Sequence, residues 1–187
     1  MRKLKLQIQT SIDGFVAGPN GESDWIFISG GDEAGFQKMI DLADSCDTLL
    51  MGRKMTRGFF DFWENTADSK TDSPQKTLAQ LIVNMRKIVF SRIETVTSGR
   101  NAEVENRDLA AVVQALKKEP GKDILVYGGA DFVSSLISQN LIDEYFILTC
   151  PVAIGKGLTI FKEQKVLKLE SSTAYKNGKV LNKYLPV

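Results

Sequence analysis

The stretch Ile124-Leu125-Val126-Tyr127-Gly128-Gly129-Ala130 decides the fold class of this chain. A short apolar run without polar alternation reads as a strand buried on both faces, the kind found in parallel sheets covered by helices. Two glycines end it. The segment from Ala130 to Gln139 then places Phe132, Val133, Leu136 and Ile137 mostly inward as a helix. Strand, glycine turn and helix make part of a βαβ unit, and leave backbone N–H groups at a helix start with no Cβ in front of them. A phosphate can approach there. Glycine also serves purely steric needs at such a turn, so this element alone leaves both readings open.

The same succession occurs twice upstream. Thr48-Leu49-Leu50-Met51 is a short buried strand, after which Gly52 opens an expected helix through Phe60, with Arg53 and Lys54 in its first turn. Cations there oppose the helix dipole by a few tenths to about 1 kcal/mol. Either an anion compensates or both side chains bend into solvent. The strand Lys87-Ile88-Val89-Phe90 ends in Ser91-Arg92, a hydroxyl and a guanidinium. Ligands of open α/β sheets lie outside the carboxyl ends of the strands. Gly52-Arg53-Lys54, Ser91-Arg92 and Gly128-Gly129-Ala130 are therefore expected to converge on one anionic ligand.

The remaining pattern fills in around these three junctions. Leu4 to Thr10 alternates with period two as a strand, followed by turns at Asp13-Gly14 and Gly18-Pro19-Asn20-Gly21. Asp32 to Ala43 carries Phe36, Met39, Ile40 and Ala43 on one helical face, with Asp32 and Glu33 suited to its start. The polar stretch from Asn65 to Pro74 reads as a mobile surface loop, and Pro74 starts a short helix to about Val83. Ala102 to Glu105 reads as a short strand, and Leu109, Val112, Val113 and Leu116 form a helical stripe ended by Pro120-Gly121. From Glu144 the order is strand, loop, strand, turn at Asn177-Gly178, strand. The expectation is one α/β domain over residues 1–187, a mainly parallel sheet extended by a C-terminal antiparallel hairpin.

Composition excludes several function classes. Lys and Arg number 24 against 23 Asp and Glu, so no global field favours nucleic acid or an anionic membrane. The absence of histidine removes Ser-His-Asp and Cys-His catalysis. Cys46 and Cys150 stand far apart without metal-ligand spacing, so no metal site is expected and both thiols should be reduced. No apolar run reaches the roughly 20 residues that span a bilayer, and the N-terminus lacks the pattern of a signal peptide. A cytoplasmic location is expected, with a small-molecule substrate as partner and neither nucleic acid nor membrane.

With these residues in place, the sequence resembles the dihydrofolate reductase superfamily, in which a strand followed by Gly-Arg and a helix, a strand ending in Ser, and a strand ending in Gly-Gly each grip part of NADPH. Ser11-Ile12-Asp13-Gly14-Phe15-Val16-Ala17-Gly18, Leu141-Ile142-Asp143-Glu144 and Pro151-Val152-Ala153-Ile154-Gly155-Lys156-Gly157 are similar, more specifically, to the reductase domain of bacterial riboflavin biosynthesis and its stand-alone relatives. The resemblance covers nearly the whole chain. It implies a three-layer dihydrofolate reductase-like fold, NADPH as cofactor, a homodimer and a cis Gly128–Gly129 bond. Carried over, Gly128, Gly129 and Ala130 would hold the pyrophosphate. Gly52, Arg53 and Lys54, with Ser91 and Arg92, would surround the adenosine 2′-phosphate, and Pro151, Gly155 and Gly157 would shape a loop on the substrate side. Met55 stands where folate reductases often have threonine.

The implied activity is NADPH-dependent reduction of a small heterocycle, as in 5-amino-6-(5-phosphoribosylamino)uracil reductase. The alternatives are a dihydrofolate or pterin-type reductase and a non-catalytic nucleotide-binding protein that keeps the fold. Folate reductases carry an acid five positions beyond a tryptophan; after Trp25 that position is Gly30. Asp13 is the alternative proton donor, though a turn before glycine favours aspartate for local hydrogen bonding. Trp25 either stacks on a flat substrate or covers the core. Lys156 either attracts a substrate phosphate or is solvated.

Overall fold

In the computed structural model, which describes residues 1–187, eight strands form one sheet. In chain order the elements are β1 (Leu4–Thr10), α1 (Glu33–Asp44), β2 (Cys46–Gly52), α2 (Thr56–Ala67), α3 (Pro74–Asn84), β3 (Arg86–Phe90), β4 (Ala102–Glu105), α4 (Leu109–Lys118), β5 (Asp123–Val126), α5 (Ala130–Ser138), β6 (Glu144–Thr149), β7 (Leu167–Ala174) and β8 (Val180–Pro186). Across the sheet the order is β4-β3-β2-β5-β1-β6-β8-β7. Every pair from β4 to β6 is parallel, and β8 pairs antiparallel with both β6 and β7. The mostly parallel sheet with its C-terminal hairpin is thus the architecture that the strand and helix patterns require.

Helices cover both faces, which gives three layers. On one side Leu49, Met51 and Leu125 pack with Phe59 and Trp63 of α2 and Ile82 of α3. On the other, Leu4, Leu6, Ile124 and Val126 pack with Val113 of α4 and Leu136 of α5. Ile124, Leu125 and Val126 of β5 enter opposite cores in turn, which is why those three successive residues are all apolar. Each such side chain contributes roughly 1.5–3 kcal/mol when fully buried. No helix is long and apolar enough to cross a membrane.

Caps fix the helix starts. Asp32 accepts from the backbone N–H of Gly35 at the start of α1 and also from Lys176 N in the β7–β8 turn, 3.0 Å in each case. It ties helix to hairpin. Ser73 caps α3 ahead of Pro74, and Asp108 caps α4. Lys87 of β3 is buried, and its ammonium donates to Val83 O, Met85 O and Arg100 O at 2.6, 3.0 and 2.8 Å. It thereby satisfies carbonyls at the end of α3, while burial brings its pKa down to about 8.

Three expectations are corrected. The helix expected to end at Phe60 continues to Ala67, so the loop expected from Asn65 to Pro74 shrinks to residues 68–73. Trp63 extends the buried stripe of Phe59 and Phe60, and Arg100 pairs with Glu64 and Asp68 beyond it. Arg53 and Lys54 precede α2 in a separate 3-10 turn, Arg53–Met55. The Gly128–Gly129 bond is trans, because the turn is made by φ angles of +152° and +92° at the two glycines. Cys46 and Cys150 are free and buried, and burial pushes both thiols up.

Candidate functional site

Strands β3, β2 and β5 are parallel neighbours, so their C-terminal ends lie side by side. They open on a cleft of about 1410 Å³. Gly52, Arg53 and Lys54, Ser91 and Arg92, and Gly128, Gly129 and Ala130 all line it. The expected convergence is therefore realised in the geometry.

Each group reaches the cleft for a local reason. Gly129 precedes α5 without a side-chain cap, and the first helical amide bonded within that turn is Val133 N, 2.8 Å from Gly129 O. The amides before it remain available to a ligand. A Cβ on Gly52 would stand 2.7 Å from Phe132 Cβ, so glycine there lets the end of β2 lie against α5. A Cβ on Gly128 would lie 3.3 Å from Met55 Sδ. Met55 thus packs on the glycine turn.

Carboxylates from the protein itself meet two of the cations. Arg53 Nη1 lies 3.0 Å from Glu94 Oε1, and Lys54 Nζ lies 3.0 Å from Asp131 Oδ2. These are the anions that offset cations near a helix start. Arg92 has no carboxylate within ion-pair distance and is exposed at the rim, whereas Arg107 is bonded to Glu105. That contact is the first of several that draw Glu105 down to about 2. The buried Ser91 hydroxyl accepts from Ile93 N and Glu94 N at 3.2 and 2.8 Å, which shapes the loop carrying Arg92 and Glu94. Its proton remains free to donate.

Five expected residues lie off the cleft wall. The Asp13 carboxylate accepts from Ile154 N and, at 2.7 Å, from Gly155 N. Hydrogen bonds from Ser11 and those two amides hold its pKa below the ordinary aspartate value. In this structure it is an acceptor anchoring the loop after β6. Trp25 is 5% exposed and its indole donates to Glu22 O at 3.3 Å, so it covers the core instead of stacking in the cleft; its neighbour Ile26 is on the wall. Pro151, Gly155 and Gly157 lie on the loop after β6, where Gly155 N donates to Asp13. A Cβ on Gly157 would strike Ala17 O, and this close approach lets Leu158 bridge to Ala17, both on the cleft wall.

The cleft also contains residues that the sequence reading passed over: Gln7 and Gln9 of β1, Tyr127 after β5, and Asn106, whose amide donates to Ser91 O and Glu94 O. Phe90 and Phe132 stack across its floor, 5.2 Å between ring centroids. Tyr127 is half-buried beside Phe59 and Trp63, and burial holds its phenol pKa well above the ordinary value.

Sheet order, crossover helices and cleft are those of the dihydrofolate reductase-like fold. More particularly, the chain belongs to the RibD C-terminal domain family, whose model matches residues 2–181. It is 33% identical over 183 residues to uncharacterized protein YyaP of Bacillus subtilis (strain 168), covering 96% of this chain and 92% of that one. Among solved structures, a protein assigned to riboflavin biosynthesis from Shewanella sp. PV-4 superposes with a TM-score of 0.75 at 19% identity, covering 100% and 99% of the two chains. A diaminohydroxyphosphoribosylaminopyrimidine deaminase/5-amino-6-(5-phosphoribosylamino)uracil reductase from Thermotoga maritima gives 0.69 at 19% identity, covering all of this chain and 57% of that one.

Proposed function

We propose that this chain is an NADPH-dependent reductase of a small heterocyclic substrate, resembling 5-amino-6-(5-phosphoribosylamino)uracil reductase and acting in the cytoplasm. One observation carries the reading: three adjacent strand ends bring glycine backbone, a free guanidinium and two displaceable ion pairs into a single cleft. The residues fit the cofactor. Gly128, Gly129 and the uncapped start of α5 suit a diphosphate, and Arg53, Arg92 and Ser91 suit a 2′-phosphate.

Bound NADPH would supply the hydride that adds to C1′ of the ribosylamino group, with the bond from C1′ to the ring oxygen broken and that oxygen taking a proton from solvent to leave the ribityl chain. Gly52 and Gly128 let backbone approach the dinucleotide closely. Lys54 offsets the Asp131 charge at the start of α5, which otherwise repels a phosphate. Phe90, Phe132 and Met55 exclude water from the cleft floor. Tyr127 keeps its proton at neutral pH and so offers a hydrogen bond from its hydroxyl instead of acting as a base.

A homodimer is part of the same proposal. Strand β7 forms one edge of the sheet with most of its side chains exposed, and such an edge calls for a partner. Light scattering should give twice the chain mass; a concentration-independent monomer would refute it.

The function is tested by titrating NADPH fluorescence, then following NADPH oxidation with phosphoribosylamino-pyrimidines, pterins and simple carbonyl compounds. Oxidation with a pyrimidine supports the proposal. Tight NADPH binding without turnover on any compound identifies a non-catalytic binding protein instead, and no binding overturns both.

A further inference from the structure

Strand β1 is flanked by β5 and β6, and helices cover both faces of the sheet, yet one of its faces carries Lys5, Gln7 and Gln9. Lys5 is accounted for by Ser45 Oγ at 2.9 Å and Asp123 at 2.8 Å. The two glutamines point elsewhere. Gln7 is only 2% exposed, its carboxamide bonds to no protein group, and the exposure it keeps opens on the cleft it lines. A carboxamide with both donors and acceptor unused at a cleft wall is free to bond a ligand there.

Gln9 is oriented from behind. Its Oε1 accepts from Lys179 Nζ at 3.4 Å and from the Cys150 thiol at 3.6 Å, and Lys179 also donates to Ile26 O at 2.8 Å. An ammonium can only donate, so the amide oxygen must face Lys179. The Nε2 donors then face away from Lys179. Residues two apart on a strand share a face and lie about 6.5–7 Å apart, the span of a six-membered ring with its substituents. Ile26 lies beside Gln9 through their shared partner Lys179, and Met55 and Phe59 line the same cleft. A polar pair on a cleft wall that also carries apolar side chains suits a flat ring with a hydrogen-bonding edge.

We propose that Gln7 and Gln9 read the lactam or amino edge of a flat, neutral heterocycle, with Gln7 the specificity-determining residue and Lys179 the positioning residue that fixes Gln9. The proposal rests on the reductase reading above and deepens it. Both groups are uncharged, so they recognise the ring and not a phosphate. A carboxamide that both donates and accepts pairs with an adjacent N–H and C=O, and rejects a ring lacking them.

The test uses wild type, Gln7→Met, Lys179→Met and Lys179→Arg. Ligand-free proteins are melted, then titrated calorimetrically with 5-amino-6-(5-phosphoribosylamino)uracil, with and without NADP⁺, and separately with NADPH. Gln7→Met is close in size and removes no hydrogen bond within the protein, so Tm should stay within about 2 °C of wild type. It should also weaken pyrimidine binding at least tenfold and leave NADPH binding within twofold. Lys179→Met should weaken pyrimidine binding severalfold, and Lys179→Arg should restore it. Unchanged pyrimidine affinity in Gln7→Met overturns the proposal while the cofactor reading stands. Wild type that binds NADPH but no pyrimidine overturns it likewise. Loss of NADPH binding by wild type itself condemns the reductase reading, and the Gln7→Met pyrimidine titration still decides this one.

Discussion

Arg53 and Glu94 face each other at the cleft rim, Nη1 3.0 Å from Oε1, with their side chains 36% and 47% exposed. An ion pair that open to water contributes only about 0.2–1 kcal/mol. A phosphate bearing close to two charges can displace it, since charge-assisted hydrogen bonds contribute about 1.5–3 kcal/mol. Arg53→Ala is therefore expected to weaken NADPH binding roughly ten- to a hundredfold and leave NADH almost unaffected. Glu94→Gln should tighten NADPH by up to about fivefold. Calorimetric titration checks both; equal losses of NADPH and NADH in Arg53→Ala would reduce the residue to a surface ion pair.

Glycine at position 52 is a packing requirement, with Phe132 Cβ 2.7 Å from where a methyl would stand. Gly52→Ala should lower stability by about 1–3 kcal/mol, as overpacking does, and weaken cofactor binding with it. Gly58, on α2 with nothing within 4 Å of the added methyl, is the control. Gly58→Ala should stabilise the helix by about 0.5–1 kcal/mol. Urea unfolding of the two variants should move in opposite directions.

Asp13 holds the loop from Cys150 to Leu158 by accepting from two successive amides. Asp13→Asn removes the charge and one acceptor oxygen, so hydrogen exchange at Ile154 and Gly155 should speed up. The shape of the pH–rate profile should be retained. Disappearance of its acidic limb would assign Asp13 the role of proton donor.

Acid should destabilise the protein through specific carboxylates. Asp13, Glu22 and Asp68 are held below their ordinary values by Ser11, Asn20 and Arg100 respectively, and Glu105 is drawn to about 2 chiefly by Arg107. Between the unfolded values near 4 and these lower folded ones, the unfolded chain binds more protons. Stability from these groups is thus fully present above about pH 5 and lost as pH falls towards 2. Urea midpoints at pH 7, 5, 4 and 3 should be nearly level across the first two and then decline. A midpoint that rises on acidification contradicts the assigned partners.

Much of the molecule was legible before any coordinates. β5 is apolar from Ile124 to Val126 because both faces are covered there, and helices α1, α4 and α5 show their inward stripes in the chain. The three junctions at Gly52, Ser91 and Gly128 were readable because strand ends in parallel sheets share one edge. The end of α2 was misjudged. Its last turn is polar in sequence, and Arg100, distant along the chain, pairs there with Glu64 and Asp68.

By itself, the sequence determined the α/β class, the parallel sheet with its hairpin, and the edge at which a ligand should lie, since hydrophobic period and glycine turns are local properties. Only the tertiary structure decided what stands at that edge. β1 alternates polar and apolar like a half-exposed strand, and its place between β5 and β6 turns Gln7 and Gln9 from apparent surface into cleft wall. Trp25 and Asp13 moved the other way, from the expected site into the core and a loop anchor. Strand order and crossover geometry join residues more than a hundred positions apart, and no local pattern in the chain encodes those neighbours.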